Sequence, residues 1–287
     1  MKRLLLAAAL TALTVMQAPA AWWAENDYVT GSNGLKKNSL TLFSTSSSAF
    51  TSGLNLSFYK DSAGYRDKVY SFRLPLMYSG HGHFISLKPF VYPVSPQTRS
   101  GAAGGRFYFL TSLGESESES YLHLIVSGAW ARQKAFITRP GSPAGRKTFS
   151  ESAYELQLEK SFFGQFFIQA SAAGFPKVPG ITNSRLVSPV LDQSDMALLG
   201  TFRPLTAVPE WAMTAQIARN MRPDFESHLY AGYSKISFRQ AEQINSVIAG
   251  MKLGLNDKSS LDLAYNASRQ EGSAWKNYYR ILLQIFF

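Results

Sequence analysis

Along most of this chain apolar and polar residues take turns with a period of two. In VYSFRLPLMYS (69–79), Tyr70, Phe72, Leu74, Leu76 and Tyr78 share one face, and Ser71, Arg73, Pro75 and Met77 take the other. YLHLIVSGAWA (121–131) sets Leu122, Leu124, Val126, Gly128 and Trp130 against His123, Ile125, Ser127 and Ala129. AYELQLEK (153–160) sets Tyr154, Leu156 and Leu158 against Glu155, Gln157 and Glu159. NSVIAGMKLGL (245–255), SLDLAYNAS (260–268) and the terminal NYYRILLQIFF (277–287) follow the same rule. A strand points successive side chains to opposite faces, so this spacing predicts half-apolar β-strands. No stretch shows the 3.6-residue spacing of a competing amphipathic helix.

The connections fall into two sizes. Those at 79–82, 161–164 and 256–260 are short; those at 60–67, 93–105, 132–150 and 174–195 are longer and rich in Gly, Pro and Ser. They roughly alternate, as they do when short turns lie on one side of a membrane barrel and long loops on the other. Aromatic residues bracket the apolar faces. Tyr70 and Tyr78 are eight residues apart, as are Tyr279 and Phe287. Eight residues rise about 26 Å along a strand; tilted by about 40°, they span roughly 20 Å of the membrane normal, close to the ~25 Å apolar band of a transmembrane barrel. The second face is mixed rather than uniformly charged. It holds Arg73, Lys88, His123, Glu155, Glu159, Lys252, Asp262 and Arg280, the candidates for lining a lumen.

The resulting expectation is an all-β protein: a transmembrane, antiparallel, up-and-down barrel of about twelve strands over residues 50–287, with fourteen as the runner-up. A secreted β-sandwich is the competing fold, since it alternates too. Twelve strands leave LKKNSLTLF (35–43) and DMALLGTFRPL (195–205) outside the strand set, and make residues 21–49 an N-terminal segment with a possible extra strand.

The last strand resembles the assembly signal of Gram-negative outer-membrane β-barrels. It carries a terminal Phe287, apolar Ile285, Leu283 and Ile281 at alternate positions, and an aromatic Tyr279. The resemblance implies that the barrel insertion machinery of the outer membrane binds this strand. It also implies an outer-membrane location, with outer-membrane lipid and lipopolysaccharide as neighbours.

Composition sharpens this picture. Only 17% of residues are charged, 14% are aromatic, and the formal net charge is +10. There is no cysteine, which excludes disulfides, thiol nucleophiles and thiolate metal sites. MKRLLLAAALTALTVMQAPA (1–20) reads as a secretory signal peptide, with a basic start, a short apolar run and an Ala18-Pro19-Ala20 cleavage site.

Candidate chemistry is sparse. Outer-membrane phospholipases carry His-x-Ser-Asn-Gly; TGSNG (30–34) has Thr30 where the base belongs, leaving Ser32 without activation. AENDYVTGSNG also faintly resembles the start of lipid A 3'-O-deacylases, which would make Asn26 and Asp27 site candidates, but no downstream His motif accompanies it. His81 and His83 are two ligands at most, short of a metal site. Glu115, Glu117 and Glu119 read as a solvated turn. The basic stretch with Arg132, Lys134, Arg139, Arg146 and Lys147 contains no acid, and suits lipopolysaccharide phosphates or the attraction of small anionic solutes. Nothing implies nucleic acid or a cofactor. The leading expectation is a porin-like channel or transport barrel for small solutes. The alternatives are a structural or accessory barrel of an export or surface-assembly complex, and a lipid-modifying enzyme.

Overall fold

A computed structural model describes residues 21–61, 69–80, 82–94, 100–113, 120–139, 142–181, 185–187, 190, 195–221, 227–239 and 241–287. The signal-peptide segment, His81 and Glu115, Glu117 and Glu119 lie outside the described residues.

The chain forms a closed antiparallel barrel of fourteen strands plus one short extra strand. In chain order they are β1 (Ala21–Gly31), β2 (Leu35–Thr45), β3 (Phe50–Lys60), β4 (Val69–Arg73 and Leu76–Gly80), β5 (His83–Tyr92), β6 (Gly101–Ser112) and β7 (Leu122–Arg139). There follow β8 (Ser142–Phe162), β9 (Phe166–Gly174), β10 (Pro209–Asn220), β11 (His228–Phe238), β12 (Ala241–Asn256), β13 (Ser259–Gln270) and β14 (Lys276–Phe286). The extra strand, Arg185–Val187, pairs with the end of β7. Each strand pairs with its sequence neighbours, and Trp23–Gly31 of β1 pairs with Phe286–Tyr278 of β14 to shut the ring. Closure removes the open edges that lipid could not satisfy.

β4 is split because Pro75 has no N–H to give the ladder. Its neighbours bridge the gap: the Gly53 N–H reaches the Pro75 carbonyl at 2.8 Å, and the Leu74 N–H reaches that of Pro89 at 3.0 Å. The outward parity of Tyr70, Phe72 and Tyr78 survives the interruption.

The structure revises three expectations. The strand number is fourteen, the runner-up, rather than twelve. The two added strands are β1 and β2, so residues 21–45 are barrel wall; LKKNSLTLF forms β2, with Leu40 and Leu42 outward. The stretch 132–150 is not a loop. It is the far half of the β7–β8 hairpin, paired from Leu122↔Lys160 to Arg139↔Ser142. By contrast, DMALLGTFRPL alternates yet forms no strand. It belongs to the connection 175–208, which folds inward and buries Phe175, Val178, Met196, Leu199 and Leu205 against the barrel interior.

The outer face is aliphatic in the middle and aromatic at the rims. Leu54, Leu56, Leu87, Leu156, Leu158, Ile168, Ile217 and Ile281 are exposed outward. Trp22, Tyr78, Phe162, Phe166 and Phe286 mark the rim that holds both ends of the sheet, the near rim; Tyr70, Trp130, Tyr154, Tyr265 and Tyr279 mark the far rim. Connections at the near rim include the two-residue turn 257–258 and the three-residue turn 163–165, while the far rim gives rise to the connection 175–208.

Candidate functional site

The barrel interior is built from hydrogen-bonded polar rows. Asn55 Nδ2 donates to Ser39 Oγ at 2.8 Å and Thr41 Oγ1 at 2.6 Å, and the Ser57 and Ser71 hydroxyls meet at 2.6 Å. These contacts join β2, β3 and β4 on the inner face. The same alternation that turns leucine outward turns these short polar chains inward.

Across this interior lies the inward-folded connection. Its Asp195 meets Arg73 of β4 in a two-pronged ion pair. Nε donates to Oδ1 at 2.8 Å and Nη2 to Oδ2 at 3.1 Å, with the side chains only 4% and 1% exposed. Tyr92 of β5 adds a hydrogen bond from its hydroxyl to Oδ2. Arg73 is held from behind, its Nη1 donating to Asn55 Oδ1 at 2.8 Å and Ser57 Oγ at 2.6 Å.

The connection then crosses to the other wall. Leu198 N–H points to Glu155 Oε2 at 3.4 Å, Ser234 Oγ donates to the Gly200 carbonyl at 3.1 Å, and Phe202 N–H donates to Asn266 Oδ1 at 3.1 Å. Arg203 Nη2 ends the crossing on Gln270 Oε1 at 2.8 Å. Gly200 turns with a φ of 60°, and a Cβ there would sit 2.8 Å from the Ser234 Cβ, so glycine is required twice over.

Against this crossing is a cavity of about 420 Å³. Leu198–Phe202 roof it, and Lys37, Asp27, Arg280, Asp262, Tyr230 and His228 line it. Arg280 pairs with Asp27 at 2.9 Å and Asp262 at 3.5 Å, and the Tyr230 hydroxyl donates to Asp262 at 2.7 Å. A second cavity of about 200 Å³ lies beside it, against Tyr121, Glu159, Phe167 and His228.

Burial alone would raise the Asp195 carboxyl. The charges of Arg73 and then Lys88 outweigh it and hold the carboxyl below its ordinary 3.8. A carboxyl depressed in the docked state contributes its full share above the ordinary value and loses it as pH falls through the docked value. Docking of the connection is therefore expected to be insensitive to pH between about 5 and 7 and to weaken below about 3.8. Protection of the Leu198–Phe202 amides from hydrogen exchange, followed through an acid titration, measures this.

The inward candidates divide among several ion clusters. Arg73 joins Asp195. Glu155 accepts from Arg106 Nη2 at 2.5 Å and from Ser127 Oγ at 3.0 Å. Arg280 and Asp262 share the 420 Å³ cavity. Glu159 accepts from the Tyr121 hydroxyl at 2.9 Å, with His123 Nδ1 at 3.8 Å. Lys88 faces Arg106 across β5–β6, and Lys252 faces Asp262 across β12–β13 in the strand register.

The basic candidates separate. Arg132 and Lys134 continue the outward row of Trp130, and Arg146 sits opposite Phe136 on that same face. Lys147 points the other way, its Nζ donating to the Gly180 carbonyl at 3.1 Å and tying hairpin to connection. Arg139 ends β7, and its side chain is not among those described. On β14, Tyr279, Ile281 and Ile285 face outward with Leu283 between them, and the backbone N–H of Phe287 donates to the Trp22 carbonyl at 2.8 Å.

Ser32 is a turn residue. Its Oγ accepts the Asn277 N–H at 2.9 Å, which secures the β1–β2 turn. Among the described residues no group of three His, Asp or Glu side chains could hold a metal ion.

Sequence reasoning misses Asp27, Lys37, Tyr92, Arg106 and Asp195 as members of these clusters. Asp27 and Lys37 need β1 and β2 in the barrel; once LKKNSLTLF is a strand, alternation sends Lys37 inward with Ser39 and Thr41. Arg106 alternates with the outward Phe107 and is legible in the same way. Asp195 leaves no periodic signal. Its partner lies 122 residues away.

No family model matches this chain, and no curated protein matches it. Solved structures do. The CymD monoaromatic hydrocarbon channel superposes with a TM-score of 0.50 at 10% identity, over 96% of this chain and 89% of that one. CdiB from Acinetobacter baumannii does so with a TM-score of 0.50 at 8% identity, over 93% of this chain but only 60% of CdiB. OprB from Pseudomonas putida gives 0.48 at 6% identity, over 97% and 96%. The likeness lies in the fold, and that fold is the closed antiparallel barrel of outer-membrane proteins.

Proposed function

We propose that this protein is an outer-membrane channel for small solutes, with the connection 175–208 as its internal restriction. One observation carries the reading. A polar, cavity-bearing interior is crossed by a segment that specific polar contacts tie to both walls, at Arg73 on one side and at Asn266 and Gln270 on the other. A channel needs a polar lumen, and needs a segment that sets its width.

A second reading keeps the barrel closed, as an anchor or an accessory of a surface-assembly complex. The apolar packing of Phe175, Val178, Met196, Leu199 and Leu205 favours it, because that surface resembles a core. Planar-bilayer recordings separate the two. Discrete conductance steps support the channel; a silent record from folded protein, including variants with the connection released, supports the closed barrel.

The membrane reading rests on the outward belt and its two aromatic rims. By the same reading the near rim faces the periplasm. Arg132, Lys134 and Arg146 then stand beyond Trp130 at the level of outer-leaflet phosphates, where guanidinium and ammonium groups pair with them. The last strand would serve as the address for insertion. Deleting Phe287 is expected to cut the outer-membrane level of the protein severalfold while export to the periplasm continues; fractionation and immunoblotting measure both, and unchanged outer-membrane levels would contradict the assignment.

A further inference from the structure

We infer that Arg73, Tyr92, Lys37 and Lys88 form a carboxylate-binding subsite for anionic solutes, and that Asp195 of the chain itself occupies it here. The inference rests on the channel reading and names the class of solute.

The geometry is that of a built site. Arg73 presents Nε and Nη2 to the two oxygens of one carboxylate at 2.8 and 3.1 Å, the parallel arrangement that suits any carboxylate. Tyr92 supplies a third donor to the same group. Arg73 does not depend on Asp195 for its pose, since Asn55 and Ser57 of β3 hold its remaining amino group. The receptor half lies on the rigid wall, and the carboxylate half arrives on a connection between strands. An intramolecular carboxylate held in this way marks where a free one would bind.

The charge around the site points the same way. Strands β2 to β6 contain no aspartate or glutamate. Their inner face carries Lys37, Arg73, Lys88 and Arg106. Arg73 and Arg106 are paired with Asp195 and Glu155, both brought from elsewhere in the chain. Lys37 and Lys88 have no hydrogen bond or ion pair among the described residues; the charge of Asp195 acts on both, foremost on Lys88, while Asp27 acts more strongly on Lys37. Acids of the interior include Glu25 and Asp27 on β1, Glu151, Glu155 and Glu159 on β8, Asp262 on β13, and Asp61 just past the end of β3, where it accepts from Tyr59. One wall is therefore basic, and Lys37 and Lys88 share its inner face with the Arg73 fork. Release of Asp195 would leave Arg73 and Lys88 without its carboxylate, while Arg106 keeps Glu155 and Lys37 keeps the nearby charge of Asp27. A small carboxylate is the ligand that restores the balance, and it would compete directly with Asp195.

The test uses Asp195→Asn protein in planar bilayers, with barrel integrity checked by its mobility shift on heating. Chloride current is recorded while acetate is added, and acetamide of the same size serves as the control. Acetate is expected to reduce the current saturably and acetamide to leave it unchanged. Lys37→Met with Lys88→Met in the same background is expected to weaken the acetate effect by about tenfold, as loss of charge-assisted contacts implies. A current insensitive to acetate, an equal effect of acetamide, or an acetate effect untouched by the lysine substitutions would each overturn the subsite while leaving the channel standing. Absence of any current from the folded variant would overturn the channel reading and the subsite with it.

Discussion

Replacing Asp195 with asparagine is expected to raise the time-averaged conductance of the barrel by roughly a hundredfold. The ion pair it forms with Arg73 is almost wholly buried. Removing one partner of such a pair costs about 3–5 kcal/mol, chiefly because the other charge is left unmatched. Here Arg73 regains solvent only when the connection lifts away, so the cost falls on the docked state. Asparagine keeps some hydrogen bonding, which leaves roughly 3 kcal/mol, and each 1.4 kcal/mol is a factor of about ten. Arg73→Met combined with Asp195→Leu removes both charges together and is expected to restore low conductance, since an apolar pair in place of a buried ion pair is often near neutral. Single-channel recording of the three proteins measures the effect. Equal conductance in all of them would remove the connection as the restriction.

The second large effect concerns the outer face. Leu158 lies midway between Tyr154 at the far rim and Phe162 at the near rim, and 46% of its surface is exposed. Leu158→Arg is expected to destabilise the folded barrel by about 2–4 kcal/mol in lipid, the usual cost of a cation at the bilayer midplane. Gln284→Arg carries the same charge to the inner face. There Gln284 already donates to Glu25 Oε1 at 2.7 Å, so the new cation gains a partner. That variant is expected to fold at wild-type yield. Urea unfolding in lipid vesicles, read by protease protection, compares the two. A penalty at both positions, or at neither, would contradict the assignment of faces.

Much of this arrangement is legible in the amino-acid sequence. The two-residue period sets the face of Arg73, His123, Glu155 and Arg280, because one parity error would turn every leucine of a strand inward. The connections that read as short all gather at the near rim and the longer ones at the far rim. Legibility ends where local pattern meets long-range pairing. LKKNSLTLF alternates as well as DMALLGTFRPL does. Only the first has strand partners on both sides, in β1 and β3. The second follows a connection long enough to turn back into the lumen, where Met196 and Leu199 find a core without a ladder. The basic stretch 132–150 reads as a loop on its Gly and Pro content, yet Arg132 and Lys134 keep the strand parity of Trp130. The pairing of Arg73 with Asp195 is a tertiary fact with no periodic trace.

The central claim is that the segment crossing the lumen between Arg73 and Asn266 controls passage. The chain has no cysteine, so an introduced pair is unambiguous. Thr201 Oγ1 lies 3.5 Å from Asn266 Oδ1. Thr201→Cys and Asn266→Cys, placed in the Asp195→Asn protein and bridged by a short reducible thiosulfonate, would pin the segment to β13. Conductance of this protein is to be followed through cross-linking and reduction in one bilayer. The account predicts that cross-linking abolishes the current gained by Asp195→Asn and that dithiothreitol restores it. An unchanged current through the whole cycle would contradict it.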